Sequence, residues 1–247
     1  LSRACERRLN WLLYGGADRQ AGELAPERVR RLLIVRKDNI GDVICTTPAV
    51  RALRRAFPQA RITFLVAAHC RAAVERNPDV DEVSVYVKSK HRSGTGRLRA
   101  LWDLGRLLRH LRRQRFDLAV AFGRPCSRSN AWLAYAARAR WRLGYRSPVL
   151  SPFPFFLNLG PDPGTTESHE VDACLALLES VGVPSAGRAL TLVPDPEAQT
   201  AMRRRLAEFG CAADARLALV HISSRREANR WPPDRFARAA DALRDRL

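Results

Sequence analysis

The sequence predicts an α/β fold built on a parallel sheet, and three observations carry that prediction. Residues 32–35, Leu-Leu-Ile-Val, form a short apolar, branched run that reads as a buried strand. After the polar turn 36–42 the period changes. Val43, Ile44, Thr47, Val50, Leu53, Arg54 and Phe57 recur at helical spacing, as one face of a helix does. Short apolar runs and helical patterns then alternate along the chain, as in strand–helix–strand units.

The opening unit is the most informative stretch. Gly41 marks a place where the backbone bends or comes close to something. A strand, a glycine turn and a helix start together aim backbone N–H groups at a ligand. Asp42, at that corner, has two readings. It is a helix cap, stabilising by roughly 0.5–2 kcal/mol, or a carboxylate held at the C-terminal edge of a parallel sheet, where open α/β folds keep their ligands.

The other elements follow in order. Residues 1–14 are a basic amphipathic segment, with Leu1, Cys5, Leu9, Leu12 and Leu13 on one helical face. Such a segment either packs on the domain surface or lies on an anionic membrane. Residues 18–28 read as a polar linker. A second strand spans 61–66, a short helix 69–76, and a third strand 82–87 after an Asn-Pro-Asp-Val-Asp turn. The loop 88–97 carries Lys88, Lys90 and Arg92, and is either a solvated loop or an anion-binding one. The helix 98–115 has Leu101, Leu104, Leu107, Leu108 and Leu111 as its expected buried stripe.

A fourth strand, 116–122, leads into a loop of small and basic residues containing Arg124 and Arg128. A helix at 131–139, a strand at 142–145 and Arg146 follow. Residues 147–166 are irregular but too apolar to be fully exposed, so a packed loop is expected. The helix 169–182 ends at a glycine; His169 and Glu170 face the preceding loop and are expected to cap locally. A short extended piece at 190–193 and a charged helix at 197–209 lead to an expected buried strand at 217–221. Beyond it Ser223, Ser224, Arg226, Asn229, Arg230 and Trp231 make a hydroxyl, basic and Trp-Pro series suited to holding a diphosphate.

Composition narrows the function. The 247 residues are 46% hydrophobic and 28% charged, as in folded globular proteins. No apolar run approaches the roughly 18–20 residues of a membrane span, and residues 1–14 lack the apolar core of a signal peptide. The six cysteines are scattered, with neither zinc-ligand nor disulfide-framework spacing, so reduced thiols and no metal are expected. The net charge of +18 is almost all arginine, since Lys37, Lys88 and Lys90 are the lysines. It fits a polyanionic partner. No helix-turn-helix, zinc-finger or RRM-type signature accompanies it, and aromatics are only 7%, which weighs against nucleic acid.

The residues of the opening unit also resemble a known family. The Gly41-Asp42-Val43 turn, the Thr47-Pro48 pair, Arg51-Ala-Leu-Arg-Arg55 and the following Pro58-Gln-Ala-Arg-Ile-Thr-Phe-Leu-Val66 are similar to the N-terminal signature of glycosyltransferase family 9. These are the heptosyltransferases of lipopolysaccharide core assembly. The Asn77-Pro-Asp-Val-Asp-Glu-Val83 series, Arg142-Leu-Gly-Tyr145, the helix from His169 and the Trp231-Pro region continue the likeness over about residues 30–247. The resemblance implies a GT-B fold, with an acceptor-binding Rossmann-like domain at 29–186, a connection at 187–214 and the start of a nucleotide-sugar-binding Rossmann-like domain at 215–247. Residues 1–28 precede it as amphipathic segment and linker. A complete second domain needs roughly another 100 residues, so an incomplete sequence is expected.

By the same resemblance the chain transfers a heptose from ADP-heptose to a lipid A–core acceptor, with inversion, without metal and with no cofactor besides the nucleotide-sugar donor. Asp42 matches the family's acid and is expected to be the general base. Asn39, Gly41, Ser223, Ser224, Arg226, Asn229 and Arg230 are the expected donor contacts, and Trp231 anchors their loop in the core. Lys88, Lys90, Arg92, Arg124, Arg128 and Arg146 are expected to hold acceptor phosphates or sugar acids. One departure stands out: Asn229 occupies the family's usual lysine position, so Arg226 or Arg230 would supply the charge with different geometry. The expected place is the cytoplasm, peripheral on the inner membrane through residues 1–14.

Three rivals have sequence consequences. A nicotinamide oxidoreductase would show G-x-G-x-x-G, and the turn holds one glycine. A non-catalytic module would bind the acceptor or another polyanion and release no nucleotide. A nucleic-acid binder would show a steep salt dependence indifferent to Asp42→Asn. Another nucleotide sugar is the remaining alternative for the donor.

Overall fold

The computed structural model describes residues 24–87, 97–146, 154–162, 164, 168–224 and 227–244. The segment 1–14, the loop carrying Lys88, Lys90 and Arg92, and Arg226 lie outside the described residues. Two compact units divide the chain, Leu1–Pro194 and Asp195–Leu247.

The first unit is a five-stranded sheet, β1 (Arg31–Val35), β2 (Arg61–Ala67), β3 (Glu82–Tyr86), β4 (Leu118–Ala121) and β5 (Trp141–Leu143). Every pairing is parallel, in the order β3-β2-β1-β4-β5. The direction of winding therefore reverses between β1 and β4. Their C-terminal ends open the crevice where open α/β sheets hold ligands. The fold class is α/β, Rossmann-like, as the sequence predicts.

The helices cover both faces, which is why the strands are apolar throughout. Leu32, Ile34, Ile62, Phe64, Leu118 and Val120 point to one face, under α1 (Ile40–Ala56) and α4 (Glu170–Glu179). Leu33, Val35, Leu65, Ala119 and Ala121 point to the other, under α2 (Arg97–Gln114) and α3 (Arg128–Ala136). This alternation is the strand period of two. Burying each large aliphatic contributes roughly 1.5–3 kcal/mol.

Helix α1 begins earlier than its apolar period suggests. Its N-cap is Asn39, in extended backbone, so Ile40, Gly41 and Asp42 already form the first turn. Gly41 neither bends the chain nor approaches a neighbour: a Cβ there would meet nothing within 4 Å. Pro48, in mid-helix, cannot donate to the Ile44 carbonyl, and the Thr47 hydroxyl donates to it instead (2.7 Å). Thr47 Oγ1 also accepts from the Thr191 N–H (2.9 Å), and Arg51 Nη2 reaches Thr191 Oγ1 (2.5 Å). The extended piece 190–193 is thereby pinned to α1.

Four further expectations need correction. Leu101 is exposed rather than buried, because α2 is anchored from Leu111 and only its later turns settle fully on the sheet. The Glu170 side chain does not cap its own helix; His169 does so, its Nδ1 accepting from the Val171 N–H (3.3 Å). Residues 217–221 form no strand, and Leu219 is 97% exposed. A strand needs an edge to pair with, and no described residue of the second unit is in a strand. That unit consists of α5 (Pro196–Glu208), a 3-10 turn at Glu227–Asn229 and α6 (Pro233–Arg244), with no buried residue in either helix. Trp231 is 46% exposed and packs edge-on against Phe236 at 5.3 Å, so it anchors nothing in a core.

Candidate active site

The crevice beyond β1 and β4 is built around an arginine. Arg36 follows the four buried residues of β1 and is itself 3% exposed. A guanidinium stays charged at any ordinary pH, so burying it requires carboxylate partners. It has three, from three places in the chain. Nε lies 3.1 Å from Asp38 Oδ2, in the turn after β1. Nη2 lies 2.8 Å from Glu170 Oε1, at the start of α4, and 3.4 Å from Asp42 Oδ1, in the first turn of α1. Burial works against the Arg36 charge, but Glu170, Asp38 and Asp42 outweigh it and hold its pKa above the usual arginine value. The Nη1 group is buried without a hydrogen-bond partner.

Asp42 combines both roles that its position allows. Its Oδ2 accepts from the Asn39 N–H (3.1 Å) and from Asn39 Nδ2 (2.9 Å), the reach-back half of a capping box. Its Oδ1 faces Arg36. The side chain is 32% exposed, at the mouth of the crevice. A partly exposed carboxylate with one oxygen oriented by Asn39 can accept a proton from a bound hydroxyl through the other.

The β4 side completes the wall. Gly123, at φ +126°, sits where a Cβ would come within 3.2 Å of Arg36 Nη1, so its lack of a side chain makes room for the guanidinium. Asn130 Nδ2 donates to the Phe122 carbonyl and to Asp38 Oδ2, each at 3.3 Å, tying α3 to the turn. Lys37, also buried, donates to Ser129 Oγ (2.7 Å) and lies 5.3 Å from the Tyr86 ring centre. Burial pushes the Cys126 and Cys174 thiols up to about 12, so neither is a nucleophile here.

Of the residues expected from sequence, Asp42, Asn39 and Gly41 stand together on the first turn of α1. Arg124 donates to Ser168 Oγ (2.7 Å) and lies over the Tyr145 ring. Arg128, which opens α3, and Arg146, just past β5, are exposed. In the second unit Ser223 Oγ is 3.2 Å from His221 Nε2, Arg230 Nε donates to the Ser224 carbonyl (2.8 Å), and Asn229 ends the 3-10 turn. Arg36, Asp38, Gly123 and Asn130 have no site role in the sequence analysis, and Glu170 enters it only as a local cap. The available signal was Arg36 itself, an arginine directly continuing a fully apolar strand. Among the described residues no group of His, Cys, Asp and Glu has the arrangement of a metal site.

The proteins to which the chain is similar carry glycosyltransferase names. The chain is 24% identical over 214 residues to lipopolysaccharide heptosyltransferase 3 of Escherichia coli K12, covering 83% of this chain and 58% of that protein. The glycosyl transferase family 9 structure from Veillonella parvula matches 87% of this chain and 59% of its own, with TM-score 0.72 and 24% identity. The chain is similar in sequence to a lipopolysaccharide heptosyltransferase and shares its fold with a glycosyl transferase family 9 structure. The E. coli heptosyltransferase WaaC, solved with ADP-2-deoxy-2-fluoro heptose, matches 86% of this chain and 65% of its own, with TM-score 0.59 and 18% identity. No family model matches the sequence. The chain spans less than two thirds of the length of the curated relative. Among its described residues no helix is long and apolar enough to cross a membrane.

Proposed function

We propose that the protein is a glycosyltransferase that moves a heptose from ADP-heptose to a lipid A–core acceptor, with Asp42 as general base. The observation that carries this reading is the partly exposed Asp42 carboxylate at the β1–β4 crevice, one oxygen fixed by Asn39 and the other 3.4 Å from Arg36 Nη2. The E. coli relative named above is a lipopolysaccharide heptosyltransferase, and WaaC was solved with an ADP-heptose analogue. Both support the class of donor and acceptor.

In this reading the acceptor hydroxyl attacks the anomeric carbon as the sugar–phosphate bond breaks. Asp42 Oδ1 takes the hydroxyl proton, and ADP leaves from the opposite face, so the configuration inverts. Arginine and hydroxyl groups of the second unit, Arg226, Arg230, Ser223 and Ser224, offset the charge of the departing diphosphate, with Asn229 beside them. Arg124, Arg128, Arg146, Lys88, Lys90 and Arg92 take the acceptor's anionic groups. Contact with an anionic membrane through residues 1–14 would bring the enzyme to that acceptor.

The test is transfer by the full-length natural protein, read by mass spectrometry of a deep-core lipopolysaccharide acceptor. A mass gain of one heptose with ADP-heptose, absent with other nucleotide sugars, is the expected result. Gain with a different nucleotide sugar would replace the donor, and none with any donor would leave a binding role.

A further inference from the structure

We propose that Glu170 is a positioning residue for Asp42: by holding Arg36 to itself, it leaves Asp42 Oδ1 free to take the proton. The inference rests on the reading of Asp42 as base and adds a residue from the far end of the unit to that site.

The geometry is a competition for one nitrogen. Arg36 Nη2 lies 2.8 Å from Glu170 Oε1 and 3.4 Å from Asp42 Oδ1. Charge-assisted N–H···O contacts fall at roughly 2.7–2.9 Å. The Glu170 contact is within that range and the Asp42 contact is outside it. Asp42 therefore feels the Arg36 charge without having its reactive lone pair engaged. Were Arg36 to close on Asp42 instead, the carboxylate would become a weaker base.

Glu170 is held well enough to win. It opens α4, whose N-terminus His169 caps. The helix is tied to the end of β5 by Tyr145 Oη, which donates to the Ala173 carbonyl (2.8 Å). Cys174, one turn on, directs its thiol to Glu170 Oε1 at 3.8 Å. The other Asp42 oxygen is occupied by Asn39, so one oxygen orients and one reacts. Among the described residues, the titratable and charged groups around this centre include Arg36 and Lys37 after β1, Asp38 in the turn, Asp42 and Cys45 on α1, Cys126 before α3, Tyr145 after β5, and Glu170 and Cys174 on α4.

The test compares sugar transfer by wild type, Glu170→Gln and Asp42→Asn in the full-length natural protein, with kcat and the donor and acceptor KM read separately and folding checked by circular dichroism. Glutamine keeps the shape and removes the charge, so Arg36 turns to Asp42 and engages Oδ1. The kcat is expected to fall by about tenfold with both KM values unchanged, as for an impaired base. A Glu170→Gln kcat equal to wild type, or a change confined to KM, overturns the proposal. If the glutamine variant does not fold, Glu170→Asp withdraws the carboxylate from Nη2 and is read the same way. Full transfer by Asp42→Asn removes the base and this proposal with it. An inactive Asp42→Asn beside a fully active Glu170→Gln removes only the role of Glu170.

Discussion

Arg36 and Glu170 meet at 2.8 Å across the crevice, the one directly after the first strand and the other on the last helix of the first unit. The contact closes the unit on itself and sets the charge balance of the site. Because Arg36 is buried and stays charged, removing a partner leaves a cation partly uncompensated. Asp38 and Asp42 remain, so Glu170→Ala is expected to cost about 1–3 kcal/mol. Urea unfolding checks it, and an unchanged midpoint would show that the contact carries no stability.

Stability at low pH should follow a second charge cluster, away from the crevice. Asp81 Oδ2 accepts from the Ile62 N–H (2.7 Å) and from Arg54 Nη2 (2.6 Å). Burial alone would raise this carboxyl; the Ile62 and Arg54 donors overcome it and hold the folded pKa below the usual value. Glu82 is lowered likewise, against its burial, by Arg61, His110 and Gln114. A depressed carboxylate contributes fully above its unfolded pKa, about 4, and loses the contribution as pH falls through the folded value. Unfolding measured from pH 6 to pH 2.5, roughly that window, should show a loss of stability that Asp81→Asn flattens. An equal slope in both proteins would count against the cluster.

The loop after β5 depends on a glycine. Gly160 adopts φ +111°, and a Cβ there would collide with the Gly144 carbonyl. Leu159 makes a bridge to Leu143, and the Gly144 N–H donates to the Leu159 carbonyl (3.3 Å), so this backbone cannot move away freely. Gly160→Ala should destabilise by at least about 2 kcal/mol. A melting temperature within a degree or so of wild type would contradict it.

The arginines past β4 give a kinetic prediction. Arg124→Ala together with Arg128→Ala should raise the acceptor KM by about tenfold or more and leave the donor KM alone, as expected for lost charge-assisted contacts to anionic groups. A change confined to the donor KM would move these residues to the other substrate.

Much of the fold was legible in the chain. The apolar strand at Leu32 and the helix face from Val43 reflect local patterns that packing respects. The start of α1 was obscured because its first turn is polar, and only the reach of Asp42 back to Asn39 shows it to be helical. Arg36 was harder still. An arginine after a strand reads as a surface residue until Glu170, far along the chain, supplies its partner. The run at 217–221 shows the opposite failure: strand propensity without a neighbouring strand to pair with.

Asp42→Asn tests the central claim most directly. The variant keeps the shape of the side chain, and its amide oxygen can still accept from Asn39 in the place of Oδ2, while the group can no longer take a proton. Transfer from ADP-heptose to the deep-core acceptor would be compared with wild type at neutral pH, with folding checked by circular dichroism. The account predicts a loss of transfer of about 100-fold or more in a folded protein, the scale of general-base catalysis. Transfer close to the wild-type rate would contradict it and leave Asp42 as the cap of α1.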